Sequence, residues 1–197
     1  MGRLRGRCAR YAALLACALG WLVATEGAAS AQDAAPAARA TLLIKVLSMD
    51  RALRVPSRRV VVGVMYRAGS PDSERDRDQM VRAMQQVAAR ATLRGVHPQV
   101  VAIAYDRAAA AERMRAAGIS AIYLTRGLDD AVTTVAAAAR GLRIRTLCGS
   151  LAYVRAGMAV GVATRSNAPS IIVNLRVARQ IGMDLDSRVL SIAVVVR

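Results

Sequence analysis

The 197-residue chain carries 28 arginines and one lysine against 13 acids, a formal net charge of +16, with 55% apolar residues and no phenylalanine. That length holds one ordinary domain and excludes a chain that needs disulfide staples to build a core. So basic a balance usually suggests nucleic acid or an anionic membrane. Here the arginines are spread along the chain, and an Arg- and Ala-rich composition follows GC-rich coding, so charge alone selects no ligand.

Residues 1–10 hold Arg3, Arg5, Arg7 and Arg10 and no acid, and an apolar run from 11 to 25 is interrupted only by Gly20. Small residues then lead to Ala29-Ser30-Ala31, just before Gln32. A charged start, a short apolar centre and an Ala-x-Ala exit form the pattern of a cleaved secretory signal, with the cut expected after Ala31. Glu26 closes the run short of the roughly 20 residues that a membrane span needs. A rival lipoprotein cut at Leu14-Leu15-Ala16-Cys17 leaves only about six apolar residues ahead of the cysteine, fewer than a signal centre uses. The expected product is periplasmic, with no stable transmembrane segment, a net charge of +13 and Cys148 as its one thiol. Export removes the chain from nucleic acid, and a lone thiol in a strand-like setting reads as a small buried hydrophobe.

The mature part divides into a disordered leader, 32–37, and one domain, 38–197. From Ala38, Leu42, Leu43, Val46, Leu47 and Leu53 fall largely on one helical face, with Arg39, Lys45 and Arg51 off it, until Pro56 ends the pattern. Residues 59–66 form a blanket-apolar run typical of a strand covered on both sides. A loop of residues 67–73 leads to a helix N-cap at Ser73, and a helix over 74–93 buries Met80, Met84, Val87 and Ala91 before Gly95.

Strands over 100–105, 121–125 and 143–148 alternate with helices over 107–117 and 129–140. Such alternation predicts an α/β fold, a mostly parallel sheet flanked by helices. The pattern then changes to a hairpin-like pair of strands, 158–163 and 171–175, and two closing helices, 176–181 and 187–196.

No catalytic constellation emerges. His97 has no second histidine, and Ser70, Ser73 and Ser150 lack a base to activate them. Asp72, Glu74, Asp76 and Asp78 alternate with Arg75 and Arg77 at a helix start, which reads as a solvated face without metal-loop spacing. Neither a metal nor a cofactor is expected. The carboxyl ends of parallel strands are where such sheets bind ligands. They present Tyr66, Arg67, Ser70, Ser73, Thr125 and Arg126, groups suited to a small anion or polar solute but equally to ordinary caps and turns.

The C-terminal third carries the most specific signals: Ala156-Gly157-Met158 and an apolar strand, Ile172-Val173-Asn174-Leu175, Ala178-Arg179, Gly182-Met183, Leu185, Ser187, Leu190 and Ala193. With the Leu43–Leu47 run and the strand from Val60, these resemble, in order, the YfiR-like (DUF4154-type) family of periplasmic proteins. The chain departs from that family at Met49-Asp50-Arg51, where aromatic residues are common, and in lacking paired cysteines. The resemblance implies a non-enzymatic regulator that represses the periplasmic sensory domain of a membrane-bound diguanylate cyclase. It implicates Asn174, and the end of the first helix with Met49, Arg51 and Arg54, as partner surface; a homodimer is the other candidate use of that helix. The alternative is a one-lobed periplasmic solute-binding module, since the chain is too short for two lobes.

Overall fold

The computed structural model describes residues 35–53, 59–165 and 168–196. The expected signal, its cut after Ala31, and Arg54 lie outside these residues.

Helix α1 (Pro36–Ser48) opens with proline in its first turn, where a missing N–H costs nothing. It is followed by β1 (Val61–Tyr66), α2 (Pro71–Ala88), β2 (Gln99–Ala104), α3 (Ala110–Ala116) and β3 (Ala121–Leu124). Then come a 3-10 turn (Asp129–Ala131), α4 (Val132–Leu142), β4 (Arg145–Cys148) and α5 (Leu151–Arg155). The chain closes with β5 (Val160–Arg165), β6 (Ala168–Asn174), α6 (Leu175–Gln180), α7 (Ser187–Ile192) and β7 (Val194–Val196).

The seven strands form one sheet in the order β2-β1-β3-β4-β5-β6-β7. All neighbours are parallel except β5 and β6, which pair antiparallel from Val160↔Val173 to Arg165↔Ala168. The α/β class, the parallel majority and the C-terminal strand pair are as the sequence predicts.

Each face of the sheet has its own core. On one, Leu43, Val46 and Leu47 of α1 pack with Met80 and Met84 of α2 and with Val177 and Val189 of α6 and α7, over Val62, Val64 and Tyr123. On the other, Met114 of α3, Val135 and Ala139 of α4 and Val154 of α5 cover Met65, Ile122 and Leu124. Buried on both sides, β1 and β3 have no solvent face to make polar, which explains their unbroken apolar runs.

Several boundaries move, each for a local reason. Pro36 and Ala37 belong to α1 rather than to a disordered leader, and the helix ends at Ser48, before Pro56. Ser73 is not the cap of α2; Ser70 holds that position, Pro71 starts the helix, and Ser73 faces inward. The same helix stops at Ala88, because Arg94 and Gly95 both take positive φ in a two-residue turn that pairs Leu93 with Val96. Helix α5 was not anticipated; it is five residues long, capped by Ser150 Oγ accepting from the Ala152 N–H. The last predicted helix is helical only through Ile192. Val194-Val195-Val196 is instead a seventh strand beside β6, as a β-branched triplet favours.

Candidate functional site

Strand β1 is followed in the sheet by β2 on one side and β3 on the other, so the order reverses between β1 and β3. In doubly wound sheets the crevice at the carboxyl ends of such a pair is the ligand position. The loops meeting there carry Arg67, Ser70, Thr125 and Arg126, together with the first turn of α2. The structure therefore gathers most of the strand-end residues singled out in the sequence.

It also uses several of them up. Ser73 Oγ lies 2.7 Å from Thr125 Oγ1 and accepts from the Arg67 N–H at 2.9 Å, while Thr125 Oγ1 donates to the Met65 carbonyl at 3.0 Å. Both hydroxyls are fully buried. Arg67 Nε donates to the Gly127 carbonyl at 2.9 Å, its Nη2 pairs with Asp130, and its guanidinium sits 5.8 Å from the centre of the Tyr105 ring. Tyr66 is turned away from the crevice to stack under Arg77, 4.3 Å from the ring centre. What faces solvent is an open cleft of about 410 Å³ lined by Ser70, Asp72, Arg75, Gln79 and Arg126, with Gly127 and Asp129 at its wall.

Under this cleft lies a buried polar cluster that the sequence did not reveal. Asp76 is 2% exposed, and Arg39 of α1 is 1% exposed. Arg39 Nη1 is 3.4 Å from Asp76 Oδ1 and donates to Tyr123 Oη at 3.1 Å; Asp76 Oδ2 accepts from Tyr123 Oη at 3.3 Å and from the Arg126 N–H at 3.0 Å. Burial, with the Asp76 charge beside it, pushes the Tyr123 phenol well above its ordinary value, so it acts as a neutral donor. Gly149 makes room: a Cβ there would stand 2.9 Å from both Arg39 Cζ and Tyr123 Oη. The expectation of a solvated acidic face thus fails at Asp76, and that of an off-face Arg39 fails too. A signal existed. Ser73, Asp76, Met80 and Met84 follow the helical period, which places Asp76 on the buried stripe of α2.

A second buried pair holds the far end of α1. Arg145 of β4 donates from Nε to Asp50 Oδ2 at 2.8 Å, and Asp50 Oδ1 accepts from the Ala52 and Asp184 N–H groups at 3.0 and 2.9 Å. Helix α1 is therefore a core element more than a free surface, since Arg39, Ala40, Leu43, Ile44, Val46 and Leu47 are all buried. Met49 is half-buried, and Arg51 is exposed but donates to Asp186 at 3.0 Å. The Arg188 side chain and N–H, with Arg51, hold the Asp186 carboxyl well below the usual carboxylate range. A carboxyl with a depressed folded-state pKa stabilises the fold above its ordinary value near pH 4 and loses that contribution as the pH falls below it. An Asp186→Asn variant should accordingly lose less stability than the parent between about pH 5 and pH 2, read as urea midpoints; parallel declines would refute this.

Asn174 caps α6: its Oδ1 accepts from the Val177 N–H at 3.1 Å, and its Nδ2 donates to the Val154 carbonyl of α5 at 3.2 Å. Asn174→Ala is expected to cost about 1–2 kcal/mol, a lost cap plus an orphaned carbonyl, measured by urea denaturation; Asn174→Asp keeps the cap but turns an acceptor toward the Val154 carbonyl, so it should not restore the parent's stability. His97 Nδ1 lies 3.0 Å from the Ala88 carbonyl beyond α2, with no acid or nucleophile among the described residues placed against it. Cys148 is buried in β4, and desolvation pushes its thiol up to about 12, so it stays protonated and unreactive. Among the described residues no group of three or more His, Cys, Asp or Glu side chains is placed to hold a metal ion.

Residues 73–194 match the DUF4154 family, described as YfiR/HmsC-like. No curated protein matches the chain. Among solved structures, an ABC domain in complex with L-Trp from Streptococcus pneumonia superposes with a TM-score of 0.60 at 13% identity, over 82% of this chain and 60% of that one. A conserved domain protein from Vibrio cholerae gives 0.60 at 13% identity over 80% and 60%, and CD0873, a substrate binding protein with adhesive properties from Clostridium difficile in a ligand-free open state, gives 0.57 at 15% over 80% and 58%. The chain thus spans about 60% of the length of these structures. At such identities the likeness is one of fold.

Proposed function

The chain belongs to the YfiR/HmsC-like (DUF4154) family, and from that premise we propose that it binds and represses the periplasmic sensory domain of a membrane-bound signalling protein of the diguanylate cyclase type. Family membership supports a periplasmic regulator, and it is the observation that carries this reading. The geometry is in keeping with a protein that works by contact. Its buried charges are spent on tying α1, the sheet and the C-terminal segment together, and Cys148 and His97 lie apart from any activating partner among the described residues.

Deleting the gene is expected to raise cellular cyclic-di-GMP, and an intact copy should restore the original level. A membrane-anchored sensor should co-purify with the tagged, exported protein. Unchanged cyclic-di-GMP in the deletion strain would overturn the reading.

One observation favours a second reading, a one-lobed solute-binding module. The cleft of about 410 Å³ sits at the sheet's switch point, where Ser70 and Gln79, with Arg75 held by Asp72, face a space suited to a small polar solute. A ligand present at 100 times its Kd adds about 2.7 kcal/mol to stability. A thermal-shift screen of amino acids, organic acids and phosphorylated solutes with no stabilising condition would remove this alternative.

A further inference from the structure

Between Asp130 and Asp184 the chain carries seven arginines and not one acidic residue. The arginines look dispersed along the sequence, but folding gathers three of them. Arg140 from the last turn of α4, Arg155 at the end of α5 and Arg176 in the first turn of α6 line one open cleft of about 510 Å³, with Gln180 beside them. All three are exposed, and none has a carboxylate partner among the described residues. Elsewhere on the surface Arg67, Arg113 and Arg188 each face an aspartate. Like charges brought together without counter-charge repel one another, and an anion relieves that repulsion.

An apolar cleft adjoins the basic one. It measures about 500 Å³, shares Arg155 and Val196 with its neighbour, and is walled by Leu151, Ala163, Ile172 and Val194, with Arg165 at its edge. It exists because α5, only five residues long, leaves the sheet face of β5, β6 and β7 partly uncovered. Val195 of β7, 40% exposed, lines the same cleft.

We propose that this face docks on an anionic phospholipid surface, with Arg140, Arg155 and Arg176 on headgroup phosphates and the apolar cleft, Val195 included, at the acyl boundary. Guanidinium groups bind phosphate through paired N–H donors. Exposed aliphatics beside cations are the composition of an interfacial surface, and a soluble anion gives them nothing to contact. A second copy of the chain is a poor occupant, because it would set the same arginines against each other. The contact is peripheral, since no helix among the described residues is long and apolar enough to cross a membrane. The inference does not depend on the regulatory reading.

The test is co-sedimentation of the purified exported protein with vesicles of equimolar phosphatidylglycerol and phosphatidylcholine, and with phosphatidylcholine alone, at roughly 0.1 M salt. Binding is expected to the anionic vesicles only. The triple variant Arg140→Glu, Arg155→Glu, Arg176→Glu should bind at least about tenfold more weakly, because each surface arginine contributes to the attraction toward anionic headgroups. A control of equal charge change on another face, Lys45→Glu, Arg82→Glu, Arg90→Glu, should lose much less, and Leu151→Ser with Val195→Ser should weaken binding without changing net charge. Failure to sediment with anionic vesicles, equal binding to neutral ones, or equal losses in the two triple variants would overturn the proposal. Saturation of the arginines by inorganic pyrophosphate, with no vesicle binding, would likewise overturn it in favour of a soluble phosphate ligand. Failure with anionic vesicles alongside binding to an acidic protein would assign the arginines to that partner instead.

Discussion

Asp76→Ala is expected to destabilise the protein by about 3–5 kcal/mol, the range for removing one partner of a buried ion pair. The carboxylate meets Arg39, Tyr123 and the Arg126 N–H in a site almost closed to water. Without it, the Arg39 guanidinium stays buried in the core of α1, α2 and β3 and loses the carboxylate that also holds Tyr123 and the Arg126 N–H. The contact itself is not tight, at 3.4 Å, so the attraction between the pair is modest beside the cost of desolvating both groups. That imbalance yields a sharper expectation. The double variant Asp76→Leu with Arg39→Met should recover most of the lost stability, because two apolar side chains of similar size need no solvation. Urea denaturation of parent, single and double variants measures both effects. A single variant within about 1 kcal/mol of the parent would show that the pair is not desolvated as its burial implies. Gly149→Ala reaches the same cluster by steric means, since its new Cβ would press on the Arg39 guanidinium and the Tyr123 hydroxyl.

Arg145→Ala should have an effect of similar size, about 3–5 kcal/mol, but a different distribution. Asp50 is fully buried, and Arg145 Nε provides its charged donor at 2.8 Å. The same guanidinium donates to the Ala52 carbonyl, to the Arg143 carbonyl at 3.0 Å and to the Gly182 carbonyl at 3.4 Å. It therefore clasps the end of α1, the start of β4 and the turn after α6. The segment beyond Met183 leans on this clasp through the Asp184 N–H to Asp50, the Arg51 N–H to the Asp184 carbonyl and the Asp186 N–H to the Met49 carbonyl. Amide exchange in the Arg145→Ala protein is expected to accelerate most from Asp184 through β7, ahead of global unfolding. Uniform acceleration across the sheet would show instead that the pair acts only through global stability. Met49 and Arg51 sit in this clasp. Loss of regulation on substituting either should be read against its stability before it is assigned to a partner contact.

How much of this was legible beforehand varies with how local the cause is. The strand positions of β1 and β3 could be read directly, because strands buried on both faces must be apolar throughout. The inward placement of Cys148 followed from its small apolar side chain in a strand-like setting. The start of α2 was misplaced by three residues, because Ser73 looks like a cap in sequence while Ser70 and Pro71 occupy the positions where the helix begins. Strand β7 was read as helix because Ser187 to Ile192 is one, and only the free edge of β6 makes extended backbone favourable for the three valines that follow.

The candidate sites divide along the same line. By itself the sequence determined the α/β class, the mostly parallel sheet and the family, since these rest on periodicity and on short motifs that the chain carries wherever it folds. It also named the strand ends, because parallel topology directs them to one edge of the sheet. Only the tertiary structure decided which polar groups remain available there. Ser73 and Thr125 are 52 residues apart in the chain, yet they satisfy each other at 2.7 Å and leave Ser70 and Gln79 on the cleft. It alone paired Arg39 with Asp76 and Asp50 with Arg145, and it alone assembled Arg140, Arg155 and Arg176 into one basic face. The physical reason is the same in each case: whether a charge is solvated, paired or gathered with its like depends on distances between elements, and no local pattern encodes those.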